Sequence, residues 1–207
     1  MKLSKEQVHE FWQNPKDQNS PERYLDYDHT LKRSEFLVGK IKKNFKPKTT
    51  KILELGCNVG RNLNALFGEK YKKLTGIEIN TNALEILVKT YTEMSLRTTL
   101  INGSFEDVLP TIPTGGVDVI FTLAVLMHVH PESEFIFNEM KRIAKKGIIT
   151  IEYENNMGGN PIERIEKRNY KAIFEGDGWK QQEEEPVGNQ CDPAMIYYTY
   201  RLFTKEG

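Results

Sequence analysis

Residues 51–62, Lys51-Ile52-Leu53-Glu54-Leu55-Gly56-Cys57-Asn58-Val59-Gly60-Arg61-Asn62, constrain the fold more than any other stretch of the chain. A short apolar run with an acid in it ends in a Gly-x-x-x-Gly turn that opens directly into a helical pattern. A strand that stops in such a turn brings backbone N–H groups and a helix N-terminus close to a ligand. A second acid, Glu78, closes the next apolar run, Leu74-Thr75-Gly76-Ile77-Glu78-Ile79. An acid there can accept hydrogen bonds from both hydroxyls of a ribose, at roughly 1.5–3 kcal/mol each. The two features together describe a nucleoside pocket.

From Lys51 onward strand and helix patterns alternate. Strands are predicted at 51–56, 74–79, 98–103, 117–123 and 147–153, with helices at 61–68, 81–93 and 132–144 between them. That alternation predicts an α/β fold, a doubly wound, seven-stranded, mostly parallel sheet with helices on both faces. Right-handed crossovers place the strand C-termini on one edge, where ligands bind. A last helix is expected over 160–176, and runs at 179–185 and 194–203 are expected to form a C-terminal antiparallel hairpin. Ahead of the sheet, Leu31, Ser34, Val38, Ile41 and Phe45 fall on one helical face that Pro47 ends. The first twenty residues are polar, with Phe11-Trp12 and a breaker cluster from Asn14 to Pro21. The expectation is one domain, 47–207, with residues 1–46 as a helical cap or lid.

Composition narrows the function. Lys+Arg and Asp+Glu both number 29, so no global field favours nucleic acid or an anionic membrane. The run Lys40, Lys42, Lys43, Lys46, Lys48, Lys51 reads as a solvated helix end, with a phosphate-contacting patch as the sharper alternative. Cys57 and Cys191 are far apart and no Cys or His sits at metal-ligand spacing, so neither a disulfide framework nor a metal site is expected. The N-terminal stretch has no apolar h-region and no run long enough to span a bilayer, which points to the cytoplasm. A dinucleotide site needs Gly-x-Gly-x-x-Gly, and here the positions hold Gly56, Asn58 and Arg61. A pyrophosphate therefore has little reason to sit at this turn, and no Walker-type Gly-Lys-Ser/Thr follows it.

With those rivals set aside, the sequence resembles the class I S-adenosylmethionine-dependent methyltransferases over about residues 30–203. Glu54–Gly60 is similar to their glycine-rich first motif and Gly76-Ile77-Glu78-Ile79-Asn80 to their ribose motif. Gly103-Ser104-Phe105-Glu106-Asp107 resembles the segment lining the adenine, and 117–129 the fourth-strand motif with its "L-x-H-V" signature. Gly176-Asp177-Gly178-Trp179 resembles the turn before the terminal hairpin. Asn58 stands where many members have glycine, and Met127 where an acid often precedes the histidine. The Cys-Asn-x-Gly-Arg-Asn form resembles a bacterial subgroup that methylates small molecules, some of them in sugar pathways.

The resemblance implies S-adenosylmethionine as methyl donor, with S-adenosylhomocysteine as product. It implies cofactor contacts at Glu54 (ammonium), Gly56, Cys57, Asn58, Gly60, Glu78 (ribose), Ile79, Ser104, Phe105 and Thr122. Residues 24–33 form a candidate lid, with Tyr24, Tyr27, His29 and Arg33 as its polar groups and Arg33 opposite the cofactor's carboxylate. Base candidates are His128 and His130 after the fourth strand, and Glu152, Tyr153 and Glu154 at the end of the fifth. Alternation predicts that Glu152 and Glu154 share one face. The expected acceptor is O or N of a small molecule, shaped by 153–161 and 186–193. A nucleic-acid methyltransferase would show an Asn/Asp-Pro-Pro-aromatic tetrad after the fourth strand, and none is present. A cofactor-binding protein without turnover is the remaining alternative.

Overall fold

The computed structural model describes residues 2–25, 28–47, 49–154 and 165–206, with the side chains of 28, 29 and 189 left aside. Its centre is a seven-stranded sheet: β1 Lys51–Leu55, β2 Lys73–Glu78, β3 Thr99–Asn102, β4 Val117–Leu123, β5 Ala144–Tyr153, β6 Trp179–Pro186 and β7 Tyr198–Lys205. The spatial order is β3-β2-β1-β4-β5-β7-β6. β1 to β5 run parallel, and β7 pairs antiparallel with both β5 and β6. Helices are α1 Lys5–Gln13, α2 Asp28–Asn44, α3 Arg61–Gly68, α4 Thr81–Thr90, α5 Thr92–Ser95, α6 Phe105–Val108, α7 Phe135–Ile143 and α8 Tyr170–Phe174.

The sheet is covered on both faces. On one, Leu37, Ile41, Ile52, Leu63, Phe121 and Tyr200 pack together, and on the other Leu53, Ile120, Ile136, Met140, Phe174 and Phe203. Central strands buried on both sides read as continuous apolar runs rather than alternating ones. The α2 face is Ser34, Leu37, Val38, Ile41 and Phe45, whereas Leu31 is 42% exposed and lies off it.

Several boundaries move. The 81–93 helix breaks at Tyr91, whose φ of −118° and ψ of 55° separate α4 from α5. The 132–144 helix opens as a 3₁₀ turn at Pro131–Ser133 and gives way to β5 at Ala144. Of the helix expected over 160–176, only α8 is present in the described part, and 155–164 lie outside it. The polar N-terminal stretch holds a helix, α1, begun by a capping box between Ser4 and Gln7. The basic run is not a bare solvated end: Lys40 and Lys43 on α2 pair with Glu185 and Glu183 on β6, and Lys42 with Glu69. Lys48 lies outside the described residues.

Candidate active site at the C-terminal edge of the sheet

The loops after β1, β2, β3 and β4 converge on a cavity of about 390 Å³, near the small end for a ligand pocket. Its floor is the β1–α3 turn. Gly56 has φ +69° and faces Val125, which a Cβ would meet at 2.7 Å. Asn58 has φ +45°, so the position that breaks the dinucleotide pattern still adopts the left-handed conformation that Asn tolerates best after Gly. Gly60 has φ +77° and caps α3, but it does not line the cavity. A Cβ there would come within 2.5 Å of Leu87, so packing and backbone geometry demand this glycine rather than contact with a ligand.

Three carboxylates, Glu54, Glu78 and Glu106, line the cavity. Glu54 is fully buried in β1; Asn62 donates to its Oε1 at 2.8 Å, and its Oε2 has no partner among the described residues. Burial pushes its carboxyl up to about 8, against the hydrogen bond from Asn62 and the charge of Arg61. The Glu78 carboxylate accepts the backbone N–H groups of Asn58 at 2.8 Å and Asn80 at 2.9 Å, so it ties the ends of two strands together. Each of its oxygens keeps a lone pair for a further donor. Ile79, Ser104 and Phe105 complete this end. Ser104 caps α6 by accepting from Asp107 N at 3.2 Å. Cys57 lines the floor; burial raises its thiol well above the ordinary range, which leaves it unreactive.

At the opposite end the loop after β4 contributes Val125, Met127 and His128, and β7 contributes Tyr198. Glu152, a base candidate from the sequence, is fully buried in β5 and does not reach the cavity. Its oxygens instead accept the N–H groups of Val125, at 3.0 and 3.1 Å, and Met127, at 3.3 Å. Burial raises this carboxyl to about 7. Arg168 clamps the same loop from the other polarity, donating to the carbonyls of Leu126 and Val129. Glu152 and Arg168 thus hold the segment that presents His128. Glu154 is likewise withdrawn, in a bidentate pair with Arg201 at 2.8 Å. Tyr153 packs edge-on against Tyr197 and Tyr198. Thr122 is buried inside β4 and does not line the cavity, one residue too deep for the contact expected of it. His130 does line it, and its Nδ1 accepts from Glu132 N at 3.2 Å, capping the turn at Pro131.

The N-terminal segment supplies the outer wall. Tyr24 and Arg33 line the cavity. Arg33 directs its Nε and an Nη to the buried Asp192 of the 186–193 turn. Tyr27, the His29 side chain and Asn155–Asn160 fall outside the described residues. Two wall residues on α1, His9 and Trp12, escaped the sequence reading. Trp12 lies 4.5 Å from His128, ring to ring, and its buried Nε1 has no partner among the described residues. His9 meets Glu106 at 3.0 Å, and Glu106 also takes the Ser133 hydroxyl. Burial opposes the Glu106 charge, but those bonds outweigh it and hold the carboxyl below its ordinary value. The Ser4-x-x-Gln7 capping signal was the available clue to α1.

Residues 53–151 match the family described as Methyltransferase domain. Over those residues the chain is similar to a methyltransferase domain. Two curated relatives, the Ubiquinone biosynthesis O-methyltransferases of two Rickettsia bellii strains, are 24% identical over 169 residues, covering 80% of this chain. The chain spans 65% of the length of those relatives. Among solved structures, magnesium protoporphyrin IX methyltransferase from Synechocystis PCC 6803 with bound SAH aligns with a TM-score of 0.74 at 14% identity, over 99% of this chain and 100% of that one. The [4+2]-cyclase SpnF aligns with a TM-score of 0.71 at 12% identity, over 99% and 97%. The methyltransferase fold thus also houses a cyclase, and the reaction has to be argued from the site.

Proposed function

We propose that this chain transfers a methyl group from S-adenosylmethionine to O or N of a small molecule. The observation that carries the reading is the unpartnered Oε2 of buried Glu54, beside a left-handed turn and across from the Glu78 carboxylate. A buried carboxylate oxygen with no donor is costly unless a ligand supplies one. The cofactor's ammonium would do so, and the lone pairs of Glu78 suit two ribose hydroxyls. Asn58, Ile79, Ser104 and Phe105 would face the nucleoside, and Gly56 and Cys57 the methionine portion. The bound group would supply an activated methyl on a sulfonium. His128 is assigned the acceptor side, with His130 and Tyr24 as neighbours and Arg33 at the wall; residues 1–46 serve as the cap.

Support for O as the acceptor atom comes from the name of the Rickettsia relatives. Balanced charge and the missing nucleic-acid tetrad favour a small molecule over DNA or RNA. Among the described residues no helix is long and apolar enough to cross a membrane, and the two buried free thiols fit a reducing cytoplasm. Calorimetry tests the assignment. S-adenosylhomocysteine is expected to bind, and Glu78→Ala to weaken it at least tenfold by removing about 1.5–3 kcal/mol per charge-assisted bond. Equal affinity in the variant would overturn the placement of the ribose.

A further inference from the structure

We propose that Ser34 is a positioning residue for the methyl donor: from α2 it orients the Asn62 amide so that Glu54 keeps one carboxylate oxygen free for the donor's ammonium. This rests on the methyl-transfer reading and gives that site a residue that does not itself line the cavity.

Ser34 interrupts an apolar face. Leu37, Val38, Ile41 and Phe45 follow it on the buried side of α2, and a hydroxyl in such a place is costly unless it is bonded. Its Oγ meets two side chains from the start of α3. Arg61 donates from Nε to that oxygen at 2.8 Å, and the Ser34 hydroxyl donates to Asn62 Oδ1 at 2.7 Å. Asn62 Nδ2 in turn donates to Glu54 Oε1 at 2.8 Å. All four side chains are buried. Arg61 Nη1 also donates to the Tyr24 carbonyl at 3.3 Å, which holds the guanidinium at the head of the chain of bonds.

The order of donors and acceptors sets the direction. A guanidinium can only donate, so the Ser34 oxygen accepts from it and has its own hydrogen left for one acceptor. The two ends of an amide have nearly the same shape, and their partners tell them apart. The hydroxyl hydrogen claims Oδ1, which turns Nδ2 towards Glu54. With the amide reversed, Oδ1 would face the Glu54 carboxylate, oxygen against oxygen, and Nδ2 would meet the Ser34 hydroxyl hydrogen. Donation to Oε1 favours the ionised carboxyl that an ammonium requires, and the charge of Arg61 acts in the same sense. With Oε1 committed, Oε2 is the oxygen without a partner among the described residues. Ser34 thus acts through Asn62 on one part of the ligand. In the proposed placement the ribose and the base meet Glu78, Ile79, Ser104 and Phe105, none of which belongs to this chain of bonds.

The test compares S-adenosylhomocysteine with methylthioadenosine, which keeps the ribose and the base but lacks the amino-acid end, by calorimetry on wild type and variants. Ser34→Ala should weaken S-adenosylhomocysteine about tenfold or more, through one charge-assisted bond, and leave methylthioadenosine within about twofold. In a Glu54→Gln background the same substitution should change S-adenosylhomocysteine affinity by less than about twofold, because its route to the ligand is already gone. Should Ser34→Ala not fold, Ser34→Cys carries the same comparisons, since it keeps the volume and replaces the hydroxyl with a weak thiol donor. Failure of the wild type to bind S-adenosylhomocysteine overturns the methyl-transfer reading itself. Equal loss for both ligands, no loss for either, or an undiminished loss in the Glu54→Gln background overturns the role of Ser34 alone.

Discussion

Replacing Glu54 with Gln separates what the carboxylate costs the fold from what it does for a ligand. Burial raises the Glu54 carboxyl from 4.5 to about 8. At 1.36 kcal/mol per pH unit, that gap corresponds to at most roughly 5 kcal/mol. The native state holds a proton that the unfolded chain releases, so the stability associated with this group is complete below pH 4.5, falls as pH rises, and levels off above 8. Between pH 6 and 8 the expected loss is about 3 kcal/mol, or roughly 6–12 °C in Tm for a chain of this length. Glu54→Gln has no such titration. Glu152 titrates in a similar window, but it does so in both proteins and cancels in the comparison. Thermal denaturation at half-unit pH steps should thus show the wild-type Tm falling relative to the variant's as pH rises. Binding should run the other way. An ammonium requires the carboxylate, so S-adenosylhomocysteine must expel the proton, and its affinity should rise by up to about tenfold per pH unit from 6 to 8 in the wild type and stay flat in Glu54→Gln. Parallel Tm curves, together with no proton release between buffers of different ionisation heat, would refute a buried, ligand-facing Glu54.

Two further substitutions probe the frame around the site. Gly60→Ala forces a Cβ onto a φ of +77° and into Leu87 at 2.5 Å, and should cost about 2–5 kcal/mol in urea denaturation; a loss under 1 kcal/mol would mean that the turn relaxes freely. Glu152→Gln turns one acceptor into a donor facing the N–H groups of Val125 and Met127. It should cost about 1–3 kcal/mol and shift the His128 imidazole resonances, and unchanged resonances would show that the β4 loop holds itself.

What the sequence displayed and what it hid follow from one distinction. Periodicity reports which face of an element is apolar, and the sheet was legible because β1, β4 and β5 are built around buried apolar runs and β1 ends in a turn with distinctive chemistry. Glu78 and the Gly56–Asn58 turn were legible as cavity lining for the same reason, since they close strands whose position the alternation sets. Periodicity does not report depth. Glu152 lies one residue before the end of β5, which looked like the active edge, yet the β4 loop folds over it and its carboxylate faces amides instead of the cavity. Thr122 fails in the same way, one residue short of the end of β4. Gly60 shows a third form of the limit: two glycines four apart look equivalent in sequence, but one faces the cavity and the other Leu87. Helix α1 was hidden for the opposite reason. Only Val8 of α1 is buried, because the inner side of that helix faces a cavity rather than a core and carries His9 and Trp12 where a core helix would carry Leu. A helix side that faces a cavity has no hydrophobic stripe to read, so His9 and Trp12 are residues an apolar pattern passes over.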